Sequence, residues 1–198
     1  MGFRAYTDLE SLSAAAAELI AAGVRARLAA GAAFTVALAG GSTPRRTYEL
    51  LAEQHGNDLA WERVDVYFGD ERCVPPQDAE SNFALAYDAL LSRVLIPAAN
   101  VHPMYDGHSD PETAAARYEM LLGDRFGASV DGATFDLAVL GVGDDGHTAS
   151  LFPGSDSLEV RDRRALAVDA PPSATTRQRI TLTLPALAAS RCVVFLCA

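Results

Sequence analysis

Short runs of β-forming apolar residues alternate with helix-forming stretches along most of this chain, and that alternation admits few folds. The clearest run is Phe135-Asp-Leu-Ala-Val-Leu-Gly-Val142, which reads as a central strand. Phe34 to Ala39 and Val64 to Phe68 are two more buried strands, and Arg164 to Val168, Arg179 to Leu184 and Cys192 to Leu196 read as three others. Ser11 to Ala30 is expected to be a helix, because Leu12, Ala16, Leu19, Ile20, Val24 and Leu28 fall on one stripe at helical spacing and Gly31 closes it. Pro44 at a first helical position opens a second helix to about Gln54, Ser81 caps a third over Asn82 to Val94, and Asp110-Pro111-Glu112 starts a fourth that runs to about Arg125. A weak strand is expected near Asn100 to Pro103 and a short Ala-rich helix at Pro185 to Ser190. The order implies βαβ units: a Rossmann-like three-layer α/β/α fold with a mostly parallel, open sheet.

Composition narrows function. With 198 residues the chain buries roughly 70% of its surface, enough for a single core. The net charge of −10 argues against a general nucleic-acid binder. All 16 cations are arginine, so chemistry that needs a lysine Schiff base or a P-loop lysine is excluded within this chain. No apolar stretch reaches the ~18 residues of a membrane span, and Met1 to Glu18 lacks the basic start and uninterrupted apolar core of a signal peptide. Cys73, Cys192 and Cys197 follow no metal or disulfide spacing. The last two read as small core residues, and a reduced cytoplasm is the expected compartment.

Four segments could carry chemistry. Leu38-Ala-Gly-Gly-Ser-Thr-Pro44 joins a strand to a helix. Gly40 and Gly41 let the backbone approach a ligand, the helix start offers free N–H groups, and Ser42 and Thr43 add hydroxyls; a tight turn with an N-cap is the plain alternative. Phe68-Gly-Asp-Glu-Arg-Cys-Val-Pro-Pro76 puts Asp70, Glu71 and Arg72 at the carboxyl end of a strand, where open α/β sheets bind ligands, though a solvated turn would look the same. Leu140-Gly-Val-Gly-Asp-Asp-Gly-His147 satisfies the spacing of a dinucleotide fingerprint, yet Asp144 and Asp145 would face a pyrophosphate and Pro153 interrupts the helix that should follow. What it does offer is His147 two residues from Asp145, an imidazole beside a carboxylate that could orient it as a general base. Arg179 enters an alternating strand, where its guanidinium could meet phosphate or simply face solvent.

Taken in order, A-G-G-S-T-P at 39–44, G-D-E-R-x-V-P at 69–75, S-N at 81–82, G-V-G-D-D-G-H-T-A-S-L-F-P at 141–153 and R-I-T-L-T-L-P at 179–185 resemble the 6-phosphogluconolactonase family of the glucosamine-6-phosphate deaminase-like superfamily. The resemblance implies metal-free, cofactor-free hydrolysis of 6-phospho-D-glucono-1,5-lactone to 6-phosphogluconate, the second step of the oxidative pentose phosphate pathway. It puts the catalytic histidine on His147, its aspartate on Asp145 and a further active-site carboxylate on Asp70. Phosphate and substrate fall to Gly40, Gly41, Ser42, Thr43, Arg72 and Arg179. The partner implied is a small sugar phosphate, with no nucleic acid, no membrane and a monomer favoured. Two other readings stay open: a glucosamine-6-phosphate deaminase-like isomerase, and a non-catalytic sugar-phosphate-binding protein. The deaminase branch carries a tyrosine where Arg72 stands and an Asn-Glu element where Leu151-Phe152 stands. Residues 1–198 are expected to form one lactonase domain, short at its carboxyl end because the family continues past Ala198 into a G-x-x-K turn and a last helix.

Overall fold

The computed structural model describes residues 2–130 and 132–198. Helix α1 (Leu9–Ala29) starts at Asp8, whose carboxylate accepts from the Ser11 N–H while the Ser11 hydroxyl reaches back to the Asp8 N–H. Its buried stripe is Ala16, Ala17, Ile20, Ala21 and Val24; Leu19, expected on that stripe, is exposed. Strand β1 (Phe34–Leu38) follows, then α2 (Ser42–His55), β2 (Val64–Phe68) and β3 (Asp70–Arg72). Next come α3 (Asn82–Ala89), α4 (Pro111–Phe126), β4 (Leu137–Gly141), β5 (Ala165–Asp169), β6 (Gln178–Leu182), α5 (Leu184–Ala188) and β7 (Val193–Leu196).

Four strands form a parallel sheet in the order β2-β1-β4-β7, with β1 buried along its whole length, as expected where helices cover both faces. The neighbours β1 and β4 send their chains off in opposite directions, β1 towards β2 and β4 towards β7. Their carboxyl ends therefore flank the point at which a crevice opens in such sheets. The mixed α/β architecture agrees with the sequence reading, but not every strand joins the parallel sheet. Residues 70–72, expected in a loop, form β3, which pairs antiparallel with β6, and β6 pairs antiparallel with β5. The hinge between the sheets is Gly69, whose N–H donates to Leu38 O and whose carbonyl accepts from Leu182 N–H.

Other differences are local. Helix α2 begins at Ser42, two residues before Pro44, because Gly41 serves as its N-cap. Helix α3 stops at Ala89, and a turn of 3₁₀ helix over Leu91–Arg93 takes up the rest of the expected span. The weak strand near Asn100 is a single bridge, Val101 to Val66. Cys192 and Cys197 are exposed and not core, because they stand just before and just after β7 rather than within it.

Candidate active site

A cleft of about 430 Å³ opens at the carboxyl ends of β1 and β4. It is lined by Gly40 to Thr43 from one loop and by Gly141 to Asp144 and His147 from another. Asp70, Arg72, Asn82 and Arg179 close it from the side of the second sheet. All nine residues singled out by sequence for binding or catalysis sit in or beside this cleft; Asp145 belongs through its bond to His147.

The first wall is the start of α2. Gly41 holds φ 102°, a left-handed value that a side chain would strain, and it supplies no side-chain cap. The first N–H groups of α2 therefore lie at the cleft wall without a capping side chain, at the positive end of the helix dipole. Behind the loop, the Tyr48 hydroxyl donates to Ala39 O and accepts from Ala39 N–H.

The second wall follows from strand alternation. In β3 the side chains of Asp70 and Arg72 line the cleft, while Glu71 points away and is buried under α3. There Glu71 accepts from the N–H groups of Asn82 and Phe83 and from the Ser81 hydroxyl, so it caps α3. Burial pushes its carboxyl up, against the pull of those N–H donors. Asp70 is buried and accepts from Asn82 Nδ2 at 2.9 Å and from the Ser150 hydroxyl at 2.6 Å. Its nearest cation, Arg179 Nη1, stands 3.9 Å away.

Arg72 and Arg179 face each other across the β3–β6 ladder. Like charges in directly opposed positions repel. Burial first, and the neighbouring Arg72 second, hold the Arg179 guanidinium below its ordinary value. Arg72 is anchored by Nη1 to Glu80 O at 2.6 Å and Arg179 by Nε to Thr176 O at 3.1 Å. Two fixed guanidiniums on one cleft are chemically suited to an anion, although Asp70, Glu80 and Glu71 partly offset the charge on Arg179.

The third wall carries His147. Its Nδ1 lies 2.5 Å from Asp145 Oδ1, and its backbone N–H donates to the same oxygen at 3.1 Å. These two bonds, the backbone one foremost, hold the Asp145 carboxyl below the ordinary 3.8. A ring whose Nδ1–H is given to a carboxylate presents Nε2 as the basic nitrogen. The loop allows this only because Gly143 lacks a side chain: a Cβ there would lie 2.2 Å from the His147 ring. Phe152 packs against the ring, centroids 4.8 Å apart and planes tilted by 42°. Ala149 adopts φ 50°, the left-handed value unusual for a side-chain residue. The turn at Ala149 swings Ser150 inwards, where its N–H donates to Thr181 Oγ1 and its hydroxyl to Asp70.

The sequence reading assigned no individual role to Asn82, Gly143 or Ser150, although each lies in a motif that carries the family resemblance, S-N at 81–82 or the segment 141–153.

The sequence profile of the family described as glucosamine-6-phosphate isomerases/6-phosphogluconolactonase matches residues 7–198. A 6-phosphogluconolactonase of a Nostoc species is 41% identical over 166 residues, 83% of this chain and 66% of that protein. One of a Synechocystis species is 44% identical over 165 residues, with the same shares. This chain thus spans just under two thirds of the length of each of these two curated relatives. The solved 6-phosphogluconolactonase from Trypanosoma cruzi superposes with a TM-score of 0.87 at 32% identity, over 100% of this chain and 81% of that one.

Proposed function

The chain belongs to the glucosamine-6-phosphate isomerase/6-phosphogluconolactonase family, and from that membership we propose that it hydrolyses 6-phospho-D-glucono-1,5-lactone to 6-phosphogluconate. The observation that carries the proposal is the His147–Asp145 pair, 2.5 Å apart, opening on the same cleft as the opposed Arg72 and Arg179 and the N-terminus of α2. One end of the cleft suits a phosphate dianion and the other a proton transfer.

In this reading the phosphate sits on the N–H groups of Ser42 and Thr43 and on Arg179, which holds lactone C1 beside His147. His147 Nε2 takes a proton from water as the water oxygen bonds to C1. The resulting oxyanion is met by Arg72. The C1–O5 bond then breaks, His147 returns its proton to O5, and the product leaves with a free hydroxyl at C5 and, once the new carboxylic acid has lost its remaining proton to solvent, a carboxylate at C1. Asp145 keeps the imidazole in the required tautomer and supports its transient charge. A lactone is an activated ester, so no covalent nucleophile is needed. Asp70, gripped by Asn82 and Ser150, is a fixed acceptor for a sugar hydroxyl. Residues 1–198 would act as one lactonase unit and as a monomer. The three free cysteines support a reducing, cytoplasmic setting.

The test is turnover of freshly generated lactone, with spontaneous hydrolysis subtracted. His147→Ala is expected to lower kcat by roughly 10²–10⁴-fold with little change in KM; near-normal turnover would overturn the mechanism. Ammonia release from glucosamine 6-phosphate would move the assignment to the isomerase branch, and binding of 6-phosphogluconate without turnover would make the chain a sensor.

A further inference from the structure

We propose that Asn82 is a positioning residue of the phosphate site, a strut whose side chain sets the height of the Gly40–Thr43 loop above Asp70. The side chain is 1% exposed and fixed from two directions. Its backbone N–H, at the first position of α3, is held by Glu71 Oε1 at 2.7 Å. Its Nδ2 donates to Asp70 O at 2.8 Å and to Asp70 Oδ1 at 2.9 Å. Both of those partners are acceptors, so only the amide nitrogen can face them, and Oδ1 must point the other way. It points under Gly40.

There Oδ1 is buried and has no hydrogen-bond partner among the described residues. A buried, unpaired acceptor is costly and persists only where its surroundings dictate its place. A Cβ added to Gly40 would lie 1.8 Å from Oδ1 and 2.5 Å from Cγ of Asn82. The backbone of Gly40 is not left-handed, unlike that of Gly41 with φ 102°. The two glycines are therefore needed for different reasons: Gly41 for its backbone, Gly40 because the Asn82 amide occupies the space its side chain would take. The loop rests on that amide, and the same amide grips Asp70. One side chain thus ties the anion-binding N–H groups to the carboxylate on the cleft floor, and such pre-organisation favours tight binding of a rigid anion.

The proposal rests on the lactonase reading only for its kinetic readout. Its test is a double-mutant cycle with Gly40→Ala, Asn82→Ala and the double variant, titrated with 6-phosphogluconate and with inorganic phosphate by calorimetry. Gly40→Ala is expected to weaken 6-phosphogluconate binding about tenfold or more, and Asn82→Ala about three- to tenfold. The double variant should bind more tightly than Gly40→Ala alone, because the shortened side chain vacates the space the new methyl needs, and KM for the lactone should recover in step. Additive losses, or a double variant no better than Gly40→Ala, would overturn the strut. If Gly40→Ala alone fails to fold, recovery of a folded, phosphate-binding double variant is the rescue expected, and its absence counts against the proposal. Non-additive binding in a protein that turns over no lactone would leave the strut standing and remove the lactonase reading; lactone turnover with additive binding losses would do the reverse.

Discussion

At the scale of single residues the cleft depends on one short bond. Asp145 fixes which nitrogen of His147 is basic, and its carboxyl stays ionised below the ordinary 3.8 because the His147 N–H and ring both bind it. A carboxyl depressed on folding contributes stability that is present above its unfolded value and lost as pH falls through its folded one. Asp145→Asn keeps the size of the side chain but removes the charge that supports the transient imidazolium and the acceptor that fixes its tautomer, so kcat should fall roughly 10²-fold or more while KM changes little. A kcat within a few-fold of the native value would show that the pair does not act as a unit. His147 and Asp145 were legible in the sequence because a glycine loop after a strong strand has few reasons to hold an acid and an imidazole two residues apart. Gly143 was not, since its role is a close approach by a ring four residues on, which no periodicity encodes.

At the scale of elements the unusual feature is an arginine facing an arginine across β3 and β6. Helices and long strands could be read from periodicity and caps, down to Asp110 and Ser81 at the starts of α4 and α3. The second sheet could not. Strand β3 is three charged residues long, and its partner lies about a hundred positions away, so only tertiary packing makes it a strand. That missed pairing is what brings together the two arginines of the proposed anion site. It also implies a cost in the empty protein, because burial and Arg72 together disfavour the charge on Arg179 more than Asp70 at 3.9 Å supports it. Arg179→Met, which keeps the buried stem without the charge, should unfold at the same temperature as the native chain or higher when no ligand is present. It should also lose most of the stabilisation that 6-phosphogluconate confers on the native chain. A clear loss of ligand-free stability would mean that the guanidinium serves the fold first and the anion second.

At the scale of the whole molecule the charge of −10 opposes the capture of a phosphate dianion. Far from the surface the ligand meets net repulsion; inside the cleft, in the proposed reading, two guanidiniums and a helix N-terminus stand at close range beside Asp70 and Asp144. Salt separates these two fields, since the Debye length is about 30 Å at 0.01 M and about 10 Å at 0.1 M, much longer than the contacts in the cleft. Raising ionic strength from ~10 to ~100 mM with a weakly binding salt should therefore speed association of 6-phosphogluconate, as the long-range repulsion is screened. Dissociation, governed by contacts that are half-buried and only a few ångströms long, should change less. Stopped-flow association rates across that range decide the point. Rates that fall with salt would show that the cleft's own positive potential reaches into solution and outweighs the rest of the protein. The acidic composition would then exclude nothing about how the substrate arrives.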